Sequence, residues 1–191
     1  MKRYIAKELA AHEQLWSKIN PINYDKTIHK TRANMVNKYA IGRVCEIGCG
    51  EGGMANYLFI GGHDVVAVDY SLNAIERAKS NYGELPIRFL KADATNLPLK
   101  TKSFETVTIL ETLEHTKKPE RILIEGIRVA SKRIIITVPN KYVFPTDPLH
   151  VTEFDEEILK KYLSKYVTRL HIEKIETEPK DLWIFAWGNI K

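Results

Sequence analysis

Short runs of β-branched and aliphatic residues recur along this chain, separated by stretches whose apolar positions fall every three to four residues. The runs are 43–47 (Arg-Val-Cys-Glu-Ile), 64–69 (Asp-Val-Val-Ala-Val-Asp), 87–91, 104–110 and 133–138 (Arg-Ile-Ile-Ile-Thr-Val), with helical patterns near 53–61, 71–82 and 119–130. Nearly continuous apolar runs mark strands covered on both faces, as in a parallel sheet. Strand–helix alternation then predicts a Rossmann-like, doubly wound α/β fold.

The two ends read differently. Residues 3–19 suggest a helix with Tyr4, Ile5, Leu9, Trp16 and Ile19 as its apolar positions, stopped by Asn20-Pro21. A second helix is expected at 27–40, so that 1–40 form a helical lid on a core at 41–191, all within one domain. A helix at 155–165 leads to strand runs 167–176 and 182–187, linked by Glu-Pro-Lys at 178–180. That spacing predicts an antiparallel hairpin, which brings the mostly parallel sheet to seven strands.

Composition changes this picture little. With 191 residues, 44% hydrophobic and 28% charged, the chain suits one soluble globular domain. No apolar run approaches the ~20 residues of a membrane span. No apolar stretch follows the basic start Met1-Lys2-Arg3-Tyr4, so a cytoplasmic location is expected. Cys45 and Cys49 lack a second pair to build a zinc site and are read as packing residues. The net charge of +5 comes from scattered lysines, which favours a solvated surface over a nucleic-acid footprint.

The candidate chemistry begins after the first strand, at Gly48-Cys49-Gly50-Glu51-Gly52-Gly53. Glycines allow a sharp turn and a close backbone approach to a ligand. The string satisfies the weak dinucleotide pattern G-x-G-x-x-G. Glu46 discriminates: a carboxylate at the strand's carboxyl end repels a pyrophosphate but accepts hydrogen bonds from an ammonium.

Glu46-Ile47-Gly48-Cys49-Gly50-Glu51-Gly52 resembles motif I of the class I S-adenosylmethionine-dependent methyltransferases. Asp69, 21 residues beyond Gly48, stands where that family binds the ribose hydroxyls, with Tyr70 beside it. Lys91-Ala92-Asp93-Ala94-Thr95-Asn96-Leu97-Pro98 resembles the adenine-contacting segment, which implies cofactor contacts for Asp93 and Ala94. Ser103-Phe104-Glu105-Thr106-Val107 resembles the fourth strand, with Glu105 where an Asp is usual and Leu110 at the cofactor end. The resemblance spans about 43–187. It implies that Glu46, Gly48, Gly50, Gly52, Asp69, Tyr70, Asp93, Ala94 and Leu110 form a site for S-adenosyl-L-methionine. Taken singly, Glu46 or Asp69 could cap the next helix and Asp93 could start a turn.

On the reacting side, Leu110-Glu111-Thr112-Leu113-Glu114-His115 follows the fourth strand. His115 is a natural general base because its ordinary pKa lies near 6.5. If the segment is helical, Glu111, Glu114 and His115 share one face. With His150, after the fifth strand, they would offer two carboxylates and two imidazoles to a divalent ion such as Mg, Mn, Fe or Zn. The Glu-x-x-Glu-His pattern resembles ubiquinone-pathway O-methyltransferases. With the distant histidine it also resembles the metal site of plant-type small-RNA 2′-O-methyltransferases. His115, His150 and Glu111 are therefore the candidate catalytic residues. Tyr142 and Phe144 could line an acceptor pocket, whereas Trp183, Phe185 and Trp187 read as core packing. His12, His29, His63 and His171 receive no role.

The expected activity is methyl transfer from S-adenosylmethionine to an oxygen or nitrogen of a small-molecule acceptor. A metal-dependent RNA 2′-O-methyltransferase is the alternative, then a non-catalytic cofactor-binding partner subunit. A nicotinamide oxidoreductase ranks last because of Glu46. The acceptor, the metal and the oligomeric state stay open at this stage.

Overall fold

The structure is a computed structural model and describes residues 27–141, 149–177 and 181–191. The expected first helix, with Tyr4, Ile5, Leu9, Trp16 and Ile19, lies outside them, as do His12, Tyr142, Phe144 and the 178–180 link. In chain order the elements are α1 (Thr27–Tyr39), β1 (Val44–Ile47), α2 (Gly53–Ile60), β2 (Val65–Asp69), α3 (Leu72–Tyr82), β3 (Arg88–Lys91) and β4 (Phe104–Leu110). A 3-10 turn at Leu113–His115 follows, then α4 (Pro119–Val129), β5 (Ala130–Pro139), α5 (Glu156–Leu163), β6 (Val167–Thr177) and β7 (Asp181–Ile190).

The seven strands form one sheet in the order β3-β2-β1-β4-β5-β7-β6. The first five are parallel, and β7 pairs antiparallel with both β5 and β6. This is the mostly parallel sheet with a C-terminal antiparallel hairpin that the patterning predicts. Strand order reverses between β1 and β4, so their crossovers leave on opposite faces and open a crevice at the carboxyl ends. All four residues of β1 are buried, which accounts for its unbroken apolar reading around Glu46.

Alternation along the strands sorts the core into two layers. Ile47, Ile109, Ile136 and Ile184 pack with Leu123 of α4 and Leu159 of α5. Val44, Leu110, Ile135 and Phe185 pack with Val36 of α1, Leu58 of α2 and Ile75 of α3. Glu46 shares the second face with Val44, so α1 roofs it. Helix starts follow their local chemistry: the Ser71 hydroxyl accepts Ala74 N–H at 3.1 Å, and the Asp155 carboxylate accepts Ile158 N–H at 2.7 Å. Among the described residues no helix is long and apolar enough to cross a membrane.

Strands β5 and β7 outrun their apolar runs. Ser131 and Lys132 interrupt the pattern before 133, yet β5 begins at Ala130, with a register shift opposite Phe104–Thr106. The Ser131 hydroxyl donates to Phe104 O at 2.9 Å and keeps the polar end paired. Gly188, Asn189 and Ile190 likewise extend β7.

Packing and backbone conformation each require glycine at two positions of the loop. Gly48 has φ 79°, and a Cβ there would overlap the Thr112 side chain. Gly52 has φ 85° and faces the Phe89 ring. Thr112 holds its place by donating to Leu110 O at 2.9 Å. Gly48→Ala should therefore cost about 2–4 kcal/mol in urea unfolding, from the left-handed backbone plus the overlap. The Gly48→Ala/Thr112→Ala double variant should recover part of that loss, and equal stability of single and double variants would remove Thr112 as a cause.

Candidate active site

The crevice gathers its polar groups from the ends of four strands. Gly48 N–H and Cys49 N–H both donate to Val68 O, at 2.8 and 3.0 Å, which folds the glycine loop over β2. Asp69 closes the turn: Oδ2 accepts Gly50 N–H at 2.9 Å and Oδ1 accepts Ser71 N–H at 2.8 Å. Its carboxylate is thus fixed at the loop's edge. Tyr70 follows it, half-buried. Glu51 is tied to α3 by Arg77 at 2.8 Å. The Cys45 and Cys49 thiols are buried, and burial pushes Cys45 up to about 12 and Cys49 well above the thiol range. They are inert packing residues, as the sequence suggests.

Asp93 is exposed at the end of β3, where Oδ1 accepts both Thr95 N–H and its hydroxyl at 2.8 Å. It does start a turn, and that turn sets the half-buried Ala94 beside the crevice edge. Ala92 N–H donates to Asp69 O, so the second and third acidic positions are joined through the backbone.

Glu46 is 3% exposed, and its Oε2 finds no hydrogen-bond partner among the described residues. Burial pushes its carboxyl up to about 8; the Arg32 cation opposes that shift and the Asp69 charge adds to it. Arg32 is the residue that patterning misses. It is 7% exposed on the buried stripe of α1, beside Ala33 and Val36. Its guanidinium lies 4.2 Å over the Trp183 ring, 3.8 Å from Glu111 Oε1 and 3.1 Å from His29 Nδ1. An arginine within an apolar stripe was the available signal. Trp183 does pack, but at the end of β7 that faces the crevice, since it pairs with Pro139 at the end of β5.

The segment after β4 is not the helix that would align Glu111, Glu114 and His115. Glu111 has φ 48° and donates its N–H to Thr137 O at 3.0 Å, and only Leu113–His115 form a 3-10 turn. Glu111 therefore turns toward Arg32. Burial raises its carboxyl above the ordinary range, against the opposing pull of Arg32. Glu114, His115 and His150 do converge: each offers a ligand atom, all within 4.8 Å of one another. The 149–152 segment is docked on the turn, with Val151 and Thr152 N–H donating to Glu114 O at 2.8 and 3.1 Å. The His115 and His150 rings meet edge-on at 5.1 Å. His115 Nδ1 faces Leu149 O at 3.2 Å. A carbonyl only accepts, so Nδ1 carries a proton, and Nε2 lies 3.9 Å from Glu114 Oε1.

Residues 45–136 match the family model described as a methyltransferase domain. A protein named probable S-adenosylmethionine-dependent methyltransferase, from Mycobacterium tuberculosis, is 30% identical over 128 residues, which is 63% of this chain and 46% of that protein. A phosphatidylethanolamine N-methyltransferase of Cereibacter sphaeroides is 26% identical over 149 residues, covering 73% of this chain and 70% of its own. The chain thus spans less than half of the mycobacterial relative's length. The fold is that of the N-methyltransferase NodS from Bradyrhizobium japonicum, solved with S-adenosyl-L-homocysteine: TM-score 0.78, 13% identity, 96% of this chain and 98% of that one. Residues 45–136 are thus similar to methyltransferase domains, and this match, the mycobacterial relative and the sheet order together support a class I S-adenosylmethionine-dependent methyltransferase.

Proposed function

We propose that this protein transfers a methyl group from S-adenosylmethionine to an oxygen or nitrogen of a small-molecule acceptor. The observation that carries the reading is the buried Glu46 carboxyl, with an unpartnered oxygen, beside a glycine loop whose edge is fixed by Asp69. The name of one relative, a phosphatidylethanolamine N-methyltransferase, supports a small or lipid-like acceptor over a nucleic acid.

The residues fit the cofactor. Asp69, its two oxygens oriented by backbone N–H groups, accepts the ribose hydroxyls. Asp93 and Ala94 edge the place of the adenine, with Tyr70 at the turn. Gly48, Gly50 and Gly52 bring backbone close to the ligand, and Leu110 closes the apolar side. Glu46 accepts the α-ammonium and Arg32 meets the α-carboxylate, so two opposite charges of one zwitterion find buried partners. When bound, the cofactor supplies an electrophilic methyl on a positively charged sulfur. The chain's contribution is then alignment of the acceptor and removal of its proton. His115 Nε2 and the Glu111 carboxylate are the bases at hand, on either side of Thr112.

A divalent ion held by Glu114, His115 and His150 is the second part of the proposal, supported by their convergence. One carboxylate and two imidazoles suit Mn²⁺, Fe²⁺ or Zn²⁺. The ion would anchor an acceptor oxygen as a Lewis acid.

Two outcomes test these assignments. The first is proton linkage at Glu46. Its folded pKa of about 8 exceeds the unfolded value of 4.5, so the unfolded state ionises first as pH rises. Stability of the ligand-free protein should fall between pH 4.5 and 8, by on the order of 3 kcal/mol, and Glu46→Gln should flatten that slope. At pH 7, S-adenosylhomocysteine binding should release about one proton, read by calorimetry in two buffers of different ionisation enthalpy. Glu46→Gln should abolish the release and weaken binding at least ~10-fold at pH 8. Binding without proton release would remove Glu46 from the ammonium site.

The second concerns the ion. Manganese or zinc titrated into tag-free protein should bind one per chain and raise the melting temperature. His150→Ala should lose both effects, and excess chelator should stop turnover while leaving S-adenosylhomocysteine affinity intact. Full activity in chelator with no metal retained would end the metal assignment.

A further inference from the structure

Arg32 is the shared partner of Glu111 and Trp183 under α1, and the consequence of recruiting it to a ligand rests on the cofactor assignment above. In the ligand-free chain Arg32 is the counter-ion of Glu111, at 3.8 Å, and lies near enough to Glu46 to perturb it. When Arg32 takes the cofactor's carboxylate, Glu111 no longer has that guanidinium to itself. Its Oε1 already accepts no hydrogen bond among the described residues, because the Arg32 contact is an ion pair at long range. The same guanidinium lies 4.2 Å over the Trp183 ring, so the ring and the carboxylate bound one cation position, filled here by Arg32. Trp183 Nε1 is likewise buried without a partner among the described residues.

A carboxylate next to an indole face is a receptor for a cation: it pairs charge with charge and offers the ring quadrupole as a second contact. Two features keep Glu111 in that role. Its backbone is held at φ 48° by the N–H bond to Thr137 O, so a non-glycine residue sits in a strained conformation that directs the side chain toward α1. Glu114, three residues on, belongs to the other face of the crevice with His115 and His150. The crevice therefore has a neutralising ammonium position on the α1 side and an oxygen-anchoring position on the other.

We propose that the methyl acceptor is an amine, recognised as an ammonium between the Glu111 carboxylate and the Trp183 ring. Glu111 takes one proton from it. The freed nitrogen lone pair forms the N–C bond as the C–S bond breaks, whose electron pair stays on sulfur. The products are a methylated ammonium and a neutral thioether, with the removed proton on Glu111.

The experiment uses the protein saturated with S-adenosylhomocysteine and two matched probes, benzylamine and benzyl alcohol, with binding followed by ligand-observed NMR. The amine should bind at least tenfold tighter than the alcohol. Glu111→Gln should bring the two within threefold, and Trp183→Leu should weaken the amine more than the alcohol. Equal affinities in the unaltered protein would overturn the proposal, and so would a preference that survives in Glu111→Gln. S-adenosylhomocysteine binding to each sample confirms a folded site. If the unaltered protein fails to bind it, the cofactor reading fails and carries this inference with it; if it binds and the amine preference is missing, this inference alone is wrong.

Discussion

A guanidinium lying between an indole ring and a half-buried carboxylate sets the charge balance of the crevice. Removing carboxylates such as Glu46 and Glu111 from water costs several kcal/mol each unless a cation or a proton compensates. Arg32 compensates Glu111 by pairing, and Glu46 keeps its proton at neutral pH because burial disfavours its charged form. Helix α1 is anchored by the same contact, since Arg32 and His29 both bear on Trp183 while Ala33 and Val36 fill the apolar layer beneath. The roof and the charge balance of the floor are thus one interaction. Ligand capture has to exchange that interaction rather than add to it.

The sheet converts this local chemistry into an extended site. Glu46, Asp69 and Glu111 come from strand ends that the order β2-β1-β4 makes adjacent. Hydrogen bonds from Gly50 and Ser71 to Asp69 and from Glu111 to Thr137 then lock each strand end to the next segment. The cofactor side is built largely from backbone and short loops, which makes it rigid. On the other side the Glu114–His115 turn is held to the 149–152 segment by hydrogen bonds from Val151 and Thr152 N–H to Glu114 O, from the Thr152 hydroxyl to Thr116 O and from His115 Nδ1 to Leu149 O. Two separate polar faces result, with Thr112 between them.

Much of this was legible in the chain. Period and apolar continuity locate every described strand and helix, because buried parallel strands cannot carry polar interruptions. The glycine string and Asp69 are legible for a similar reason: a tight strand-to-helix turn tolerates few residues. What patterning could not supply was direction. The spacing of Glu111, Glu114 and His115 matches a helical face, but Thr137 captures the Glu111 N–H and a left-handed residue breaks the geometry. Arg32 lies within the apolar stripe of α1, and patterning alone assigns it no partner. Only the pairing of Trp183 with Pro139 shows that this part of the apolar stripe faces the carboxyl end of the sheet. The extra lengths of β5 and β7 were also hidden, since their polar residues are satisfied across the sheet by Phe104 O and by Arg133, within 3.3 Å of Asn189.

Strand β7 has a further consequence because it runs against its neighbours. In a parallel strand the residues that reach the crevice are its last, and they lead straight into the loop and helix that complete the cofactor pocket. In β7 they are its first, so Trp183 is presented by the C-terminal hairpin, whose residues lie far along the chain from the glycine loop. Drift in that hairpin can reshape the acceptor wall while the turns that hold the cofactor keep their sequence. The antiparallel return thus brings two distant parts of the chain to one crevice, so a change in one leaves the sequence of the other untouched.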